Sequence, residues 1–580
     1  MEGKILPGFV TRKQEKRHPR LKNYVLLSLW TLITLAVLYS HNNIYSKWTA
    51  WQSPKPIKYS GEHITWEPCG DLQGRPLECS SIEVPIDQFA KPPNPPTKPK
   101  GFTIPLIRLR GENATQNLLL NPGGPGGSGF EFLYRRGEQL KTIVGEGFHL
   151  LTFDPRGVNS STPTASCYPD PKTRRELSNI RQRDATDIPE IYAWAQNFAK
   201  ACPETMGEYA AYINTPQTAA DMNSILDAVG QEDMIYWGFS YGTLLGQTYA
   251  TLFPERSKRV VIDGVVNQFE WYESQFESEW LVDADTVFDG FLDECVKAGA
   301  DSCTLSSLAS SKEELRGTVF SFMEKLRDQP LAVYVNNTVH GILDYDKIWY
   351  NAVFPALYKP ALWYSLAQNL YDLIQGNATD AFLAYGTAEE REDESNELIT
   401  LNDGPTGPEH WPQDRDSLFA LITPSLNMSA FGTSYLASYY QKQQWNVPKT
   451  HSYVPRRGVE TAHPLLILST TYDPVCPLLS ARSAHEAFAG SQIVEVEGYG
   501  HCSVAVASVC AVKHLRAFLY KGQLPDAYTR CKVDSSYFVK PEENRPVTAQ
   551  TYFEDLGDQK IHLAQLELMG GLNFAGRSMR

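Results

Sequence analysis

The stretch that most narrows the possible folds of this chain is Gly238-Phe239-Ser240-Tyr241-Gly242, set between two runs of different character. Met234 to Trp237 is a short apolar run of strand type, and Leu244 to Phe253 reads as a helix that stops before Pro254. So sharp a turn from strand to helix lifts the serine above a sheet and strains its backbone. Glycine on either flank lets neighbouring chain pass without a Cβ clash. The helix N-terminus turns backbone N–H groups toward any negative charge that develops beside Ser240. The alternative is a plain Gly-Ser turn between packed elements, and the ordered strand–turn–helix context argues against it.

The same alternation extends along the chain. Asn117 to Leu120 is an apolar run ending in NPGGPGGSG (121–129), and Phe148 to Phe153 is another, ending in DPRG (154–157). Residues 216–230 have proline at a helix start and a closing glycine, and RVVIDGVV (259–266) is a fourth strand. Strands alternating with helices imply a mostly parallel central sheet flanked by helices, an α/β class fold. The alternation breaks over 267–455, which is rich in aromatics and helix-like segments such as 310–328. It returns with LLILS (465–469), a helix near 480–489 and QIVEV (492–496). The expected organisation is a core in two parts, 51–266 and 456–535. A large, mainly helical cap (267–455) is inserted between sheet strands, and residues 536–580 form a tail. Two consecutive domains are the alternative, but the late strands are too few for a core of their own.

The N-terminus reads as an anchor. Residues 1–23 are basic and polar, and 24–40 are apolar and uncharged, close to the length that spans a bilayer. Retention of the basic flank on the cytoplasmic side predicts a single-pass type II membrane protein with the catalytic part lumenal or extracellular, the membrane being a partner through this anchor. Secretion after signal cleavage is the alternative. Five N-x-S/T triplets, at Asn113, Asn159, Asn336, Asn377 and Asn427, are candidate glycosylation sites. The ten cysteines, Cys69, Cys79, Cys167, Cys202, Cys295, Cys303, Cys476, Cys502, Cys510 and Cys531, lack zinc-ligand spacing and are disulfide candidates. A net charge of −14 argues against a nucleic-acid partner.

A serine needs a base, and the base an orienting acid. In chain order after Ser240, Asp473 follows the LLILS strand and His501, in Gly498-Tyr499-Gly500-His501-Cys502, follows QIVEV. Both lie at the carboxyl ends of strands, where open sheets gather functional residues. Asp263, at the end of another strand, is the rival acid. Two N–H donors for an oxyanion are expected from Tyr241 and from Gly124 in the Gly-rich loop. That loop has no G-K-[ST] ending, which argues against phosphate binding. The expected chemistry needs no metal or cofactor.

Together NPGGPGGSG, FDPRG, WGFSYGT, TYDPVCP and GYGHCS resemble the tripeptidyl aminopeptidase and proline iminopeptidase branch of the α/β-hydrolase fold, over roughly residues 60–535. The resemblance implies Ser240, Asp473 and His501 as catalytic triad, Gly124 and Tyr241 as oxyanion donors, and a C-terminal cysteine module containing GQLP (522–525). It implies a serine peptidase of aminopeptidase type that releases short N-terminal peptides or residues. A carboxylesterase or lactonase acting on a small ester is the alternative, and a non-catalytic binding protein a further one. An aminopeptidase needs a carboxylate for the substrate amine, and Glu273, Glu277 and Glu279 near the cap entry are the candidates. Cys476 stands where the family pattern leads one to expect threonine, and it is a candidate to pair with a late cysteine.

Overall fold

A computed structural model of the chain describes residues 56–91, 100–178, 188–276, 278–386, 393–539 and 553–571. Ten strands form one sheet, ordered β1-β2-β3-β5-β4-β6-β7-β10-β11-β12. They are β1 (Glu67–Leu72), β2 (Arg75–Pro85), β3 (Gly101–Leu109), β4 (Gln116–Asn121), β5 (Phe148–Phe153), β6 (Met234–Phe239), β7 (Ser257–Asp263), β10 (Leu466–Tyr472), β11 (Gln492–Tyr499) and β12 (Thr529–Lys532). β1, β2 and β3 pair antiparallel, as do β3 and β5. From β5 across to β12 every neighbouring pair is parallel. A parallel sheet is covered on both faces, so its strands read as unbroken apolar runs rather than alternating ones. β5 and β6 are buried along their whole length.

The register of β7 with β10, Val261 against Leu466, joins two strands that lie far apart in the chain. The cap occupies the interval. Its helices include Ala284–Ala298, Lys312–Asp328, Trp363–Ile374, Ser395–Asp403 and Leu436–Gln444. The fold is thus a mostly parallel sheet flanked by helices with an inserted helical cap, as expected. The cap also holds an antiparallel hairpin, β8 (Leu331–Asn336) and β9 (Val339–Leu343), which the sequence reading missed. Only Val333 and Leu343 of its side chains are buried, so no alternation of apolar and polar residues marks it.

The DPRG motif has a structural explanation. Asp154 accepts from Ser128 Oγ at 2.7 Å and Phe130 N at 3.3 Å, fastening the start of helix Gly129–Val144. Arg156 and Asp221 form a fully buried pair, with Nε and Nη2 of the arginine 2.7 and 2.6 Å from the two carboxylate oxygens. Inside the expected tail, helix Leu556–Gly571 docks on the core, burying Ile561, Ala564 and Leu568 and pairing Asp558 with Lys513 at 2.6 Å.

The membrane expectation is corrected. Among the described residues no helix is long and apolar enough to cross a membrane. The longest of them, Ile188–Met206, carries Glu190, Lys200 and Glu204 and an internal proline, whereas a span needs about 20 consecutive apolar residues. The type II topology, the membrane as partner and the placement derived from them are therefore not supported. Residues 1–23 and 24–40, on which that reading stands, lie outside the described residues.

Candidate active site

β6 ends at Phe239, and helix Tyr241–Leu252 starts two residues later. Ser240 between them has φ 55° and ψ −127°, a conformation that L-residues avoid unless the surroundings enforce it. The surroundings are firm. Ser240 N donates to Asp263 O at 3.0 Å, while Thr243 N and Oγ1 donate to Ser240 O at 2.8 and 2.6 Å. The Gly-rich loop is pressed against this turn. A Cβ on Gly123 would stand 2.3 Å from Phe239 O and 2.8 Å from Ser240 Cβ, and one on Gly242 would stand 2.7 Å from Asn121 O. Glycine is thus dictated at both positions. Gly123 N donates to Asn121 Oδ1 at 3.0 Å, so its N–H is engaged within the loop.

Asp473 follows directly on β10, and His501 lies two residues beyond β11. Both are fully buried, and Ser240 is 9% exposed. His501 Nδ1 is 2.9 Å from each Asp473 oxygen. The carboxylate also accepts from Val475 N at 3.0 Å, Cys476 N at 2.8 Å and Cys502 N at 2.9 Å. Three backbone donors therefore fix its orientation before the imidazole is counted. The rival acid, Asp263, faces elsewhere. It accepts from Ser503 N at 2.6 Å and Ser503 Oγ at 2.7 Å, clamping the segment after His501. Burial pushes its carboxyl up to about 6 against the pull of those hydrogen bonds.

Four cysteine pairs are bonded: Cys69–Cys79, Cys167–Cys202, Cys295–Cys303 and Cys510–Cys531. Cys476 and Cys502 are buried free thiols, which corrects their reading as disulfide partners. The physical reason is their place: each sits in a loop of the site rather than between elements. Cys476 hydrogen-bonds Ser240, and burial together with the Asp473 charge pushes its thiol well up, keeping it protonated. Burial likewise raises Cys502, with Asp263 and Asp473 adding to it. Asp473, Cys476 and His501 bring donor atoms within 4.8 Å of one another. The carboxylate of this set is already taken up by four N–H donors, which marks a hydrogen-bonded cluster rather than an open ligand set.

The cap reaches into the same place. Tyr358 O accepts from His501 N at 2.9 Å, and its ring stands edge-on to the imidazole at 5.0 Å between centroids. No local motif announced Tyr358. Of the three glutamates considered for a substrate amine, Glu273 is exposed on its helix and Glu277 lies outside the described residues. Glu279 lines a small pocket with Glu270, Trp271, Trp280, Val475 and Ser480, beside the acid loop. Ser480 Oγ donates to Glu279 at 2.6 Å, and Glu270 accepts the backbone N–H groups of Ser278 and Glu279 at 3.1 Å. Among the glycosylation candidates Asn113, Asn336, Asn377 and Asn427 are exposed. Asn159 differs. Its Nδ2, the atom a glycan would take, donates to Asp154 at 2.8 Å and Ser128 at 3.2 Å.

Two family models match, one described as alpha/beta hydrolase fold over residues 116–377 and one as TAP-like protein over 428–531. The serine protease Hip1 of Mycobacterium tuberculosis is 26% identical over 499 residues, 81% of this chain and 91% of that protein. Carboxylesterase B of the same organism is 25% identical over 495 residues, 80% and 89% respectively. The tripeptidyl aminopeptidase of Streptomyces lividans is 32% identical over 239 residues, 39% of this chain and 42% of that one. The chain has an α/β-hydrolase fold related broadly to the serine-hydrolase families of peptidases and esterases, TAP-like and Hip1-like proteins among them.

Proposed function

We propose that Ser240, His501 and Asp473 act as nucleophile, general base and orienting acid in two-step acyl transfer. The observation that carries this reading is the Asp473–His501 contact, 2.9 Å from Nδ1 to both oxygens, beside a serine held at positive φ. His501 takes the Ser240 proton as Oγ attacks a carbonyl. Asp473 fixes the tautomer and stabilises the imidazolium. The N–H groups of Gly124 and Tyr241 receive the oxyanion. His501 then protonates the leaving group, and water resolves the acyl-enzyme. Ser240→Ala should lower kcat about 10⁶-fold. A loss under tenfold in the folded variant would remove Ser240 from the reaction.

For substrate we favour a small ester. A relative named carboxylesterase B matches along four fifths of the chain, and ester cleavage asks for nothing beyond the triad and two N–H donors. The aminopeptidase reading has one specific observation on its side: the carboxylates Glu270 and Glu279 line a pocket beside the acid loop, where a free amine would be neutralised. Rates on aryl esters and on aminoacyl and peptidyl arylamides separate the two. Turnover of arylamides that stops when their N-terminus is acetylated supports the aminopeptidase; turnover of esters alone supports the esterase.

A further inference from the structure

Helix Ser395–Asp403 falls between the two stretches matched by family models, and nothing in its sequence marks it as functional. Its two ends contact neighbours of the two proposed oxyanion donors, Pro125 beside Gly124 and Thr215 beside Tyr241. At the start, Asn396 Nδ2 donates to Pro125 O at 2.9 Å, the carbonyl next after Gly124 in the Gly-rich loop. A Cβ on Gly126 would stand 2.5 Å from Ser395 Oγ, so loop and helix are in close contact.

At the other end the fully buried Asp403 accepts from Thr215 N at 2.8 Å, Thr215 Oγ1 at 2.6 Å and Trp271 Nε1 at 2.9 Å. Thr215 Oγ1 is also 2.5 Å from Tyr241 Oη. The threonine has one hydroxyl proton and a carboxylate can only accept, so that proton points to Asp403. Tyr241 must therefore donate to Thr215. The result is a directed relay from Tyr241 through Thr215 to Asp403. Asn396 and Asp403 are seven residues apart, two turns of helix, which places them on one face about 10 Å from each other.

We propose that this cap helix braces the oxyanion hole, with Asn396 and Asp403 as positioning residues that set the N–H groups of Gly124 and Tyr241 at a fixed separation. Neither residue touches the reacting atoms; each acts through a neighbour. The inference rests on the acyl-transfer reading above. A buried carboxylate with three strong donors is a stiff anchor, because any departure would leave charge without compensation. Burial pushes Asp403 up to about 6, and Lys449, whose Nζ donates to the backbone carbonyl of the same residue at 3.0 Å, pulls the other way.

Thr215→Val keeps the shape of the side chain and the backbone N–H to Asp403, and removes only the relay. Asn396→Leu removes the tie to the loop. The readouts are the second-order rate constant for labelling Ser240 with a fluorophosphonate, whose phosphoryl oxygen occupies the oxyanion position, and kcat and KM on an aryl ester. Complete loss of one oxyanion donor lowers kcat about 10²–10³-fold. Misalignment should lower the labelling rate and kcat about tenfold in each variant, with KM changed less than about twofold. Thr215→Ser, which restores the hydroxyl, should recover both rates. Unchanged rates with a lower melting temperature would reduce the contacts to packing and overturn the inference. A rise in KM alone would also overturn it, assigning the helix to substrate shape. Failure of the unmodified enzyme to label at Ser240 would remove the acyl-transfer reading and this inference with it, whereas labelling at a rate the variants share overturns the inference alone.

Discussion

Replacing Asp473 by asparagine tests the site most sharply, because the hydrogen bonds dictate how the amide must sit. Oδ1 accepts Val475 N and Cys476 N, and Oδ2 accepts Cys502 N. An amide NH2 at the Oδ1 position would face two backbone donors; at the Oδ2 position it would face one. Each buried donor left without an acceptor costs about 1–3 kcal/mol, so the second orientation is preferred by about that amount. The NH2 then stands about 2.9 Å from His501 Nδ1, while the remaining oxygen is already filled by two N–H groups. The imidazole does best by accepting from the amide. Its proton moves to Nε2, the nitrogen that must receive the Ser240 proton. We expect kcat on an aryl ester to fall about 10⁴-fold, as for the wrong tautomer in other triads. The orphaned Cys502 N–H should lower stability by about 1–3 kcal/mol in urea unfolding. A folded Asp473→Asn enzyme that keeps more than a tenth of wild-type kcat would refute the reasoning.

Four further outcomes follow from the packing. Asp263→Asn should retain kcat within about tenfold, since its partner Ser503 can reverse its hydroxyl toward an amide; a loss on the scale of Asp473→Asn would make Asp263 the acid after all. The same substitution should change the pH dependence of stability. A carboxyl raised from 3.8 to about 6 in the folded protein takes up its proton there before it does in the unfolded chain. Its contribution is therefore fully present below about pH 4 and is lost as pH rises through about 6, a difference on the order of 3 kcal/mol. Urea unfolding of wild type and variant at pH 4.5 and 7.5 should show the wild type gaining relative stability at the lower pH, and no change between the two would count against it. Removing the Cys167–Cys202 bond, which closes a separation of 35 residues, by serine at both positions should destabilise the protein by about 4 kcal/mol in chemical unfolding. Gly123→Ala should abolish hydrolysis while leaving much of the fold, because the new methyl would stand 2.3 Å from Phe239 O at the serine turn; measurable activity above a few per cent would show that the loop can retreat.

The residues easiest to read from sequence were those tied to strand ends. Ser240 follows β6, Asp473 follows β10 and His501 lies just past β11, and each strand is an apolar run that composition alone reveals. The cap was opaque for a physical reason. Tyr358, Asn396 and Asp403 make their contacts with partners distant in sequence, so no spacing or local pattern marks them. Cys476 and Cys502 were misread because an even cysteine count invites complete pairing, whereas burial beside Ser240 is visible only in three dimensions. The same applies to Asn159, whose triplet is intact but whose amide is already bonded to Asp154. The hairpin β8–β9 escaped because most of its side chains point into solvent on both faces.

The long interval between β7 and β10 has a consequence for biosynthesis. During translation the strand and turn that carry Ser240 emerge about 260 residues before His501 does, a delay of roughly 13–50 s at ordinary elongation speeds. Throughout that time the nascent chain bears a serine without a proton acceptor, and the sheet presents the bare edge of β7 where β10 will later dock. On the acyl-transfer reading, hydrolytic competence thus waits for the segment that carries His501, and until then the open edge of β7 is the part of the sheet most exposed to unwanted strand pairing.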